Sequence, residues 1–116
     1  MDKMKIFSYK DVEAKEADDG AVGVKVRWLI TKELGAPNFA MRRFEIAPRG
    51  SSPLHTHPWE HEVFVLKGEG VVVGKDKQTK ISAGSVAFVA PNELHQFRNS
   101  GKTALVFLCM VPIREK

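Results

Sequence analysis

The sequence has few of the residues that cross-link a fold. It carries one cysteine, Cys109, in 116 residues. That excludes an intrachain disulfide framework and any multi-cysteine zinc motif. Long apolar runs are missing too. The longest, Ala104 to Pro112, is too short to cross a bilayer. The opening residues Met1 to Lys5 lead into no apolar stretch of the secretory kind. The expectation is a soluble cytoplasmic protein with no membrane partner. Internal repeats, low-complexity tracts and linkers are lacking as well. So is any basic run. Lys and Arg outnumber Asp and Glu by 18 to 14, a net charge of +4, but they are scattered, and Arg42-Arg43 is the one adjacent pair. With no helix-turn-helix or RNA-platform pattern, no nucleic-acid partner is expected. The mild basicity suits an anionic small ligand.

What is present reads as β. Apolar residues make up 43% and charged residues 28%, ordinary proportions for one globular domain. Val24, Val26, Trp28 and Ile30 alternate with Lys25, Arg27 and Leu29, the period-two signature of a half-buried strand. Further strands are expected over Phe39–Ile46, Glu62–Lys67, Val71–Val73, Ser85–Ala90 and Leu105–Val111, with Gly, Pro, Asn or Asp in most gaps. One short helix is expected, over Val12–Ala17. Residues 1–20 read as a charged arm or edge strand, and 21–116 as a single barrel domain. Many short strands at this spacing imply a closed or double-sheet antiparallel fold.

Four histidines, His55, His57, His61 and His95, carry the chemical signal, and three of them fall within seven residues. His57 and His61 have the spacing of a helical zinc pair, but Pro58 biases His57 toward extended backbone and the run after His61 is β-branched and aromatic. His55 and His57, two apart, share a face if the chain is extended. Pro58-Trp59-Glu60 can then turn the chain so that His61 opens a strand returning toward the same place. His95 follows Pro91-Asn92-Glu93-Leu94 from a distant segment. Neutral imidazoles suit zinc, copper, iron and nickel, with manganese possible through availability.

These residues resemble the two motifs of the cupins, small β-barrel metalloproteins. Their first motif runs G-x5-H-x-H-x3/4-E-x6-G and their second G-x5-P-x-G-x2-H-x3-N. His55-Thr56-His57 supplies the H-x-H. His61 is separated from Gly68 by six residues and stands where the family normally has its glutamate. Gly84, His95 and Asn99 keep the spacing of the second motif. The first-motif glycine would fall at Arg49, one place before Gly50; the proline is displaced to Pro91, and Glu93 occupies the stretch of the second-motif glycine. The run His55-Thr56-His57-Pro58-Trp59-Glu60-His61-Glu62 resembles most closely the short tetra-histidine, manganese-type cupins. The resemblance covers Gly50 to Pro112.

The resemblance implies a single jelly-roll β-barrel (a cupin-like double-stranded β-helix), all-β, with a divalent metal held by His55, His57, His61 and His95. The metal is Mn, Fe, Ni or Zn, with Mn or Fe favoured for catalysis. It also implies a homodimer, since small cupins expose an apolar sheet. Replacing the carboxylate by His61 leaves the full +2 charge uncompensated, so a His61→Glu variant should bind anions more weakly. Four imidazoles can close a tetrahedral zinc site or leave two octahedral positions open; the resemblance favours the second. Ligation needs neutral imidazoles, so metal loss is expected as pH falls toward about 5. Val63 and Val65 follow His61 in phase, Phe97 and Asn99 follow His95, and the last strand groups Leu105, Phe107, Cys109 and Val111. In similar short cupins the last strand crosses the pocket, so the resemblance implies Phe107 and Cys109 near the metal, the alternative being a core strand with a buried cysteine; with Val63, Val65 and Phe97 they are the expected pocket-lining residues. Glu60 or Glu62 can orient a ligand imidazole, Trp59 can shield the cage, and Arg42, Arg43 and Arg49 can guide an anionic substrate. No catalytic residue beyond the metal ligands is indicated. The expected activity is that of a metal-dependent oxidoreductase of dioxygenase type acting on a small organic substrate. The alternatives are a metal-bearing small-molecule sensor or storage domain and a metal-dependent isomerase or lyase.

Overall fold

The computed structural model describes residues 4–114. The outermost residues of the two expected segments, 1–3 and 115–116, lie outside that range. Among the described residues, nine strands follow a short 3-10 turn at Tyr9–Asp11. They are β1 (Lys15–Glu16), β2 (Val22–Ile30), β3 (Phe39–Ser51), β4 (His61–Lys67), β5 (Glu69–Val73), β6 (Gln78–Ser82), β7 (Val86–Val89), β8 (Gln96–Asn99) and β9 (Leu105–Pro112). All pairings are antiparallel, in the order β6-β5-β8-β3-β9-β4-β7, with β2 on the flank of β3 and β1 on β2. The sheet curls into an all-β jelly roll, as expected.

The expected helix at Val12–Ala17 does not form. Ser8 caps the earlier 3-10 turn, accepting from the Lys10 amide, while Lys15 and Glu16 pair with Val26 and Lys25 of β2. Six residues are too few to repay helix nucleation when a sheet edge offers the same backbone bonds.

Strand β3 runs five residues past its expected end at Ile46. Pro48 argues for a stop, and the ladder is indeed interrupted there. Between the pairs Val24↔Ile46 and Val22↔Ser51, Gly23 of β2 faces four residues of β3. Arg49 takes a left-handed φ of 70° in this bulge. A Cβ on Gly50 would stand 2.5 Å from the Val22 carbonyl oxygen, so only glycine lets the strands close again. Strand β6 was not expected. Its sequence, Gln-Thr-Lys-Ile-Ser, buries only Ile81, because it lies at an edge of the sheet.

The core follows from period two. Ala40, Arg42, Phe44 and Ile46 of β3 face one way, opposite Val111, Cys109, Phe107 and Leu105 of β9. Val63 and Val65 of β4 continue that layer against Cys109 and Phe107. Phe97, Phe107 and Phe44 stack in series, at centroid distances of 4.9 and 5.2 Å. Arg42 ends the series with its guanidinium 4.8 Å above the Phe44 ring and 5.1 Å from that of Trp28. A charged side chain on the inward phase of a core strand leads directly to the site.

Candidate metal centre

The histidines arrive on three segments that are hydrogen-bonded to one another. His55 and His95 form an antiparallel bridge, each amide donating to the other's carbonyl at 3.2 and 3.1 Å. The Asn92 amide donates to the His57 carbonyl at 2.7 Å, fixing the second loop against the first. Asn92 takes a left-handed φ of 67°. Counting back from His95, the motif glycine falls here and not at Glu93. Asparagine is among the residues that tolerate this conformation. His61 opens β4, opposite Val89 of β7.

Ligand atoms of His55, His57 and His95 lie within 4.8 Å of one another. His57 donates from Nδ1 to the Trp59 carbonyl at 3.1 Å, and His95 from Nδ1 to the Glu93 carbonyl at 2.8 Å. Each neutral ring then presents an Nε2 lone pair to the cluster. Acceptors gathered against acceptors fit a cation, and the two carbonyls orient the rings for it. His61 joins the group on one side: its Nε2 is 2.6 Å from His57 Nε2, and its ring centre is 5.2 Å from that of His95. On the other side its Nδ1 faces Arg42 Nη2 at 3.2 Å and Cys109 Sγ at 3.0 Å.

The surroundings of His55, His57 and His61 favour the neutral ring. Burial, reinforced by Arg42 and the neighbouring histidines, pushes the His61 pKa down to about 3. Burial also lowers His55 and His57, the latter against an opposing pull from its bond to the Trp59 carbonyl. Burial raises the Cys109 thiol, with Arg42 working the other way.

Trp59 lies flat on His57, at 4.4 Å and 4° between planes, and Arg114 covers its far face with the guanidinium 3.6 Å from the ring centre. Glu60 and Glu62 sit elsewhere, lining a shallow outer groove with Asn38, Phe39 and Met110. Carbonyls and a thiol occupy the orienting positions, and both carboxylates are exposed, the alternative that the sequence favoured over an orienting role. Of the five expected lining residues, Cys109 touches His61, and the Phe97 ring stands 6.4 Å from that of His95. Val63, Val65 and Phe107 are buried in the core layer described above. The contact between Arg42 and His61 was missed. Its signal was available: Arg42 shares the phase of Ala40, Phe44 and Ile46.

The sequence profile of the cupin domain matches residues 42–111. The chain belongs to the cupin family. Among curated cupins it is 39% identical, over 70 residues, to an oxalate-binding protein of Thermotoga maritima, covering 60% of this chain and 58% of that protein. It is 40% identical, over 80 residues, to 1-methylthio-D-xylulose 5-phosphate methylsulfurylase of Rhodospirillum rubrum, covering 61% and 46%. The chain thus spans about half the length of these two relatives. Among solved structures, the polyketide cyclase RemF of Streptomyces resistomycificus superposes with a TM-score of 0.88 at 34% identity, over 94% of this chain and 79% of that one. These three proteins are named for different activities, so fold and family alone do not select the chemistry.

Proposed function

We propose that this cupin is a metal-dependent oxidoreductase of dioxygenase type acting on a small, anionic organic substrate, with dioxygen as co-substrate. The observation that carries the reading is the convergence of the histidines. Three segments bring imidazoles together, the Nδ1 protons of His57 and His95 are already committed to carbonyls, and among the described residues no carboxylate shares the cluster. His55, His57 and His95 hold the ion, with His61 as the fourth ligand. A divalent ion there, manganese or iron in preference to nickel or zinc, supplies Lewis acidity and redox chemistry.

The chain's own residues do the rest. Arg42, half-buried beside the cage with its Nε atom buried and unpaired, adds positive charge that favours an anionic ligand. A groove of about 420 Å³ lies nearby, lined by Trp28, Ala40, Val111 and Ile113, with the cations Lys15, Lys32 and Arg114 outnumbering the single carboxylate of Glu33. Its size and mixed lining suit a small organic acid. Trp28 joins it to Arg42, and Arg114 joins it to the Trp59–His57 stack. On the outer face, Phe64, Leu66, Val86 and Phe88 are exposed on adjacent strands β4 and β7, and we assign this face to a homodimer.

Binding without turnover, as in a sensor or storage domain, is the second reading, favoured by the name of the oxalate-binding relative. An isomerase or lyase is disfavoured by the lack of a carboxylate base in the cluster. Protein loaded anaerobically with Fe(II) or Mn(II), then given oxygen with candidate catechols, diketones or alkenes, should consume oxygen. Ligand-induced thermal stabilisation with no oxygen uptake would favour the sensor instead.

A further inference from the structure

His61 lies between partners that favour opposite placements of its proton. His57 spends its one ring proton on the Trp59 carbonyl, so its Nε2 can only accept. The hydrogen in the 2.6 Å contact between the two Nε2 atoms therefore belongs to His61. A neutral His61 protonated at Nε2 has its lone pair at Nδ1, where Arg42 Nη2 stands at 3.2 Å. A guanidinium only donates, so Arg42 favours this tautomer. In it, His61 has no lone pair to offer an ion.

For Nε2 to become a ligand atom, the ring proton must move to Nδ1, which then needs an acceptor. Arg42 cannot accept. Cys109 Sγ can, at 3.0 Å, because a thiol both donates and accepts. Arg42 Nη2 also lies 3.1 Å from this sulfur and can turn its hydrogen there. Every partner of the metal-competent ring is then satisfied.

We propose that Cys109 is a positioning residue that sets the tautomer of His61. In the metal-free protein Nδ1 accepts from Arg42 Nη2. With a divalent ion bound, Nδ1–H donates to the sulfur. His55, His57 and His95 are the standing site, and His61 is a fourth ligand recruited through the thiol. The ring carries one proton in both states, moved from Nε2 to Nδ1, and the thiol keeps its own. This rests on the metal reading above.

The test uses the full chain and zinc as a diamagnetic probe. Long-range 1H–15N spectra read the proton position on each histidine with and without zinc, and calorimetry gives the affinity. In the wild type, His61 should change from the Nε2–H to the Nδ1–H form on zinc binding. Cys109→Ser, whose hydroxyl also donates and accepts, should follow it and bind within about three-fold, whereas Cys109→Ala should bind about ten-fold more weakly, the scale of a lost ligand-orienting contact. A wild-type His61 that keeps its Nε2 proton while the other three rings bind zinc would overturn this proposal alone. So would Cys109→Ala binding as tightly as wild type. No zinc on any ring would overturn the metal reading along with it.

Discussion

Trp59 and His57 stack face to face, their ring centres 4.4 Å apart and their planes within 4°. The contact makes Trp59 a built-in reporter of the cage. Trp28, the only other tryptophan, packs against Arg42 instead. Titration with Co(II), a paramagnetic quencher, should reduce the intrinsic fluorescence. Trp59→Phe should lose most of that response, and Trp28→Phe should keep it. A response carried by Trp28 would place the ion elsewhere.

The metal-free protein should lose stability in acid. His61 has a folded pKa of about 3 against 6.5 in the unfolded chain, and burial is the main cause. Between those values the unfolded chain holds the extra proton, so stability falls as pH falls. The slope is about 1.4 kcal/mol per pH unit for each such group. His55 and His57 act in the same direction. Above pH 6.5 the ring is neutral in both states, so the slope vanishes and the full stability is present. Urea midpoints at pH 7.5, 6 and 4.5 measure the slope, and His61→Leu should flatten it. An unchanged slope in that variant would mean that His61 titrates normally.

Asn99 is a staple of the barrel. Its Nδ2 donates to the carbonyls of Ile46 and Thr103, and its Oδ1 accepts from the Gly101 amide. Asn99→Ala strands these backbone groups and should cost about 2 kcal/mol in urea unfolding. Zinc affinity at pH 7.5 should stay the same, since none of these contacts reaches a histidine.

Much of this was legible in the sequence, because period two and the histidine spacings are local signals. Val24 and Val26 alternate as read, and the four histidines cluster. Strand β6 was not legible, since an edge strand with one buried residue leaves almost no pattern. The continuation of β3 through Pro48 depends on a bulge that Gly23 and Gly50 permit, which strand propensity does not encode. Arg42 was read as a guide for an anionic substrate and not as a partner of His61. Its inward direction becomes visible only when the phase of β3 is traced from Ile46 back to Ala40, through a position where a charge argues against a core strand. The partners of Cys109 come from β3 and β4, far away in sequence.

The exposed face of β4 and β7 carries Phe88, 62% exposed, and Val86, 76% exposed. Sedimentation at micromolar concentration should show a dimer, and Phe88→Glu a monomer that is still folded by circular dichroism. A monomeric wild type would remove the dimer from the proposal and leave the metal centre untouched.

The most direct test is a crystal structure of protein purified without added metal and then soaked in manganese, with anomalous scattering locating the ion. One peak per chain is predicted, within bonding reach of His55, His57 and His95 and bonded also to His61. A protein that takes up no ion at saturating manganese, or binds it away from these four rings, would contradict the account.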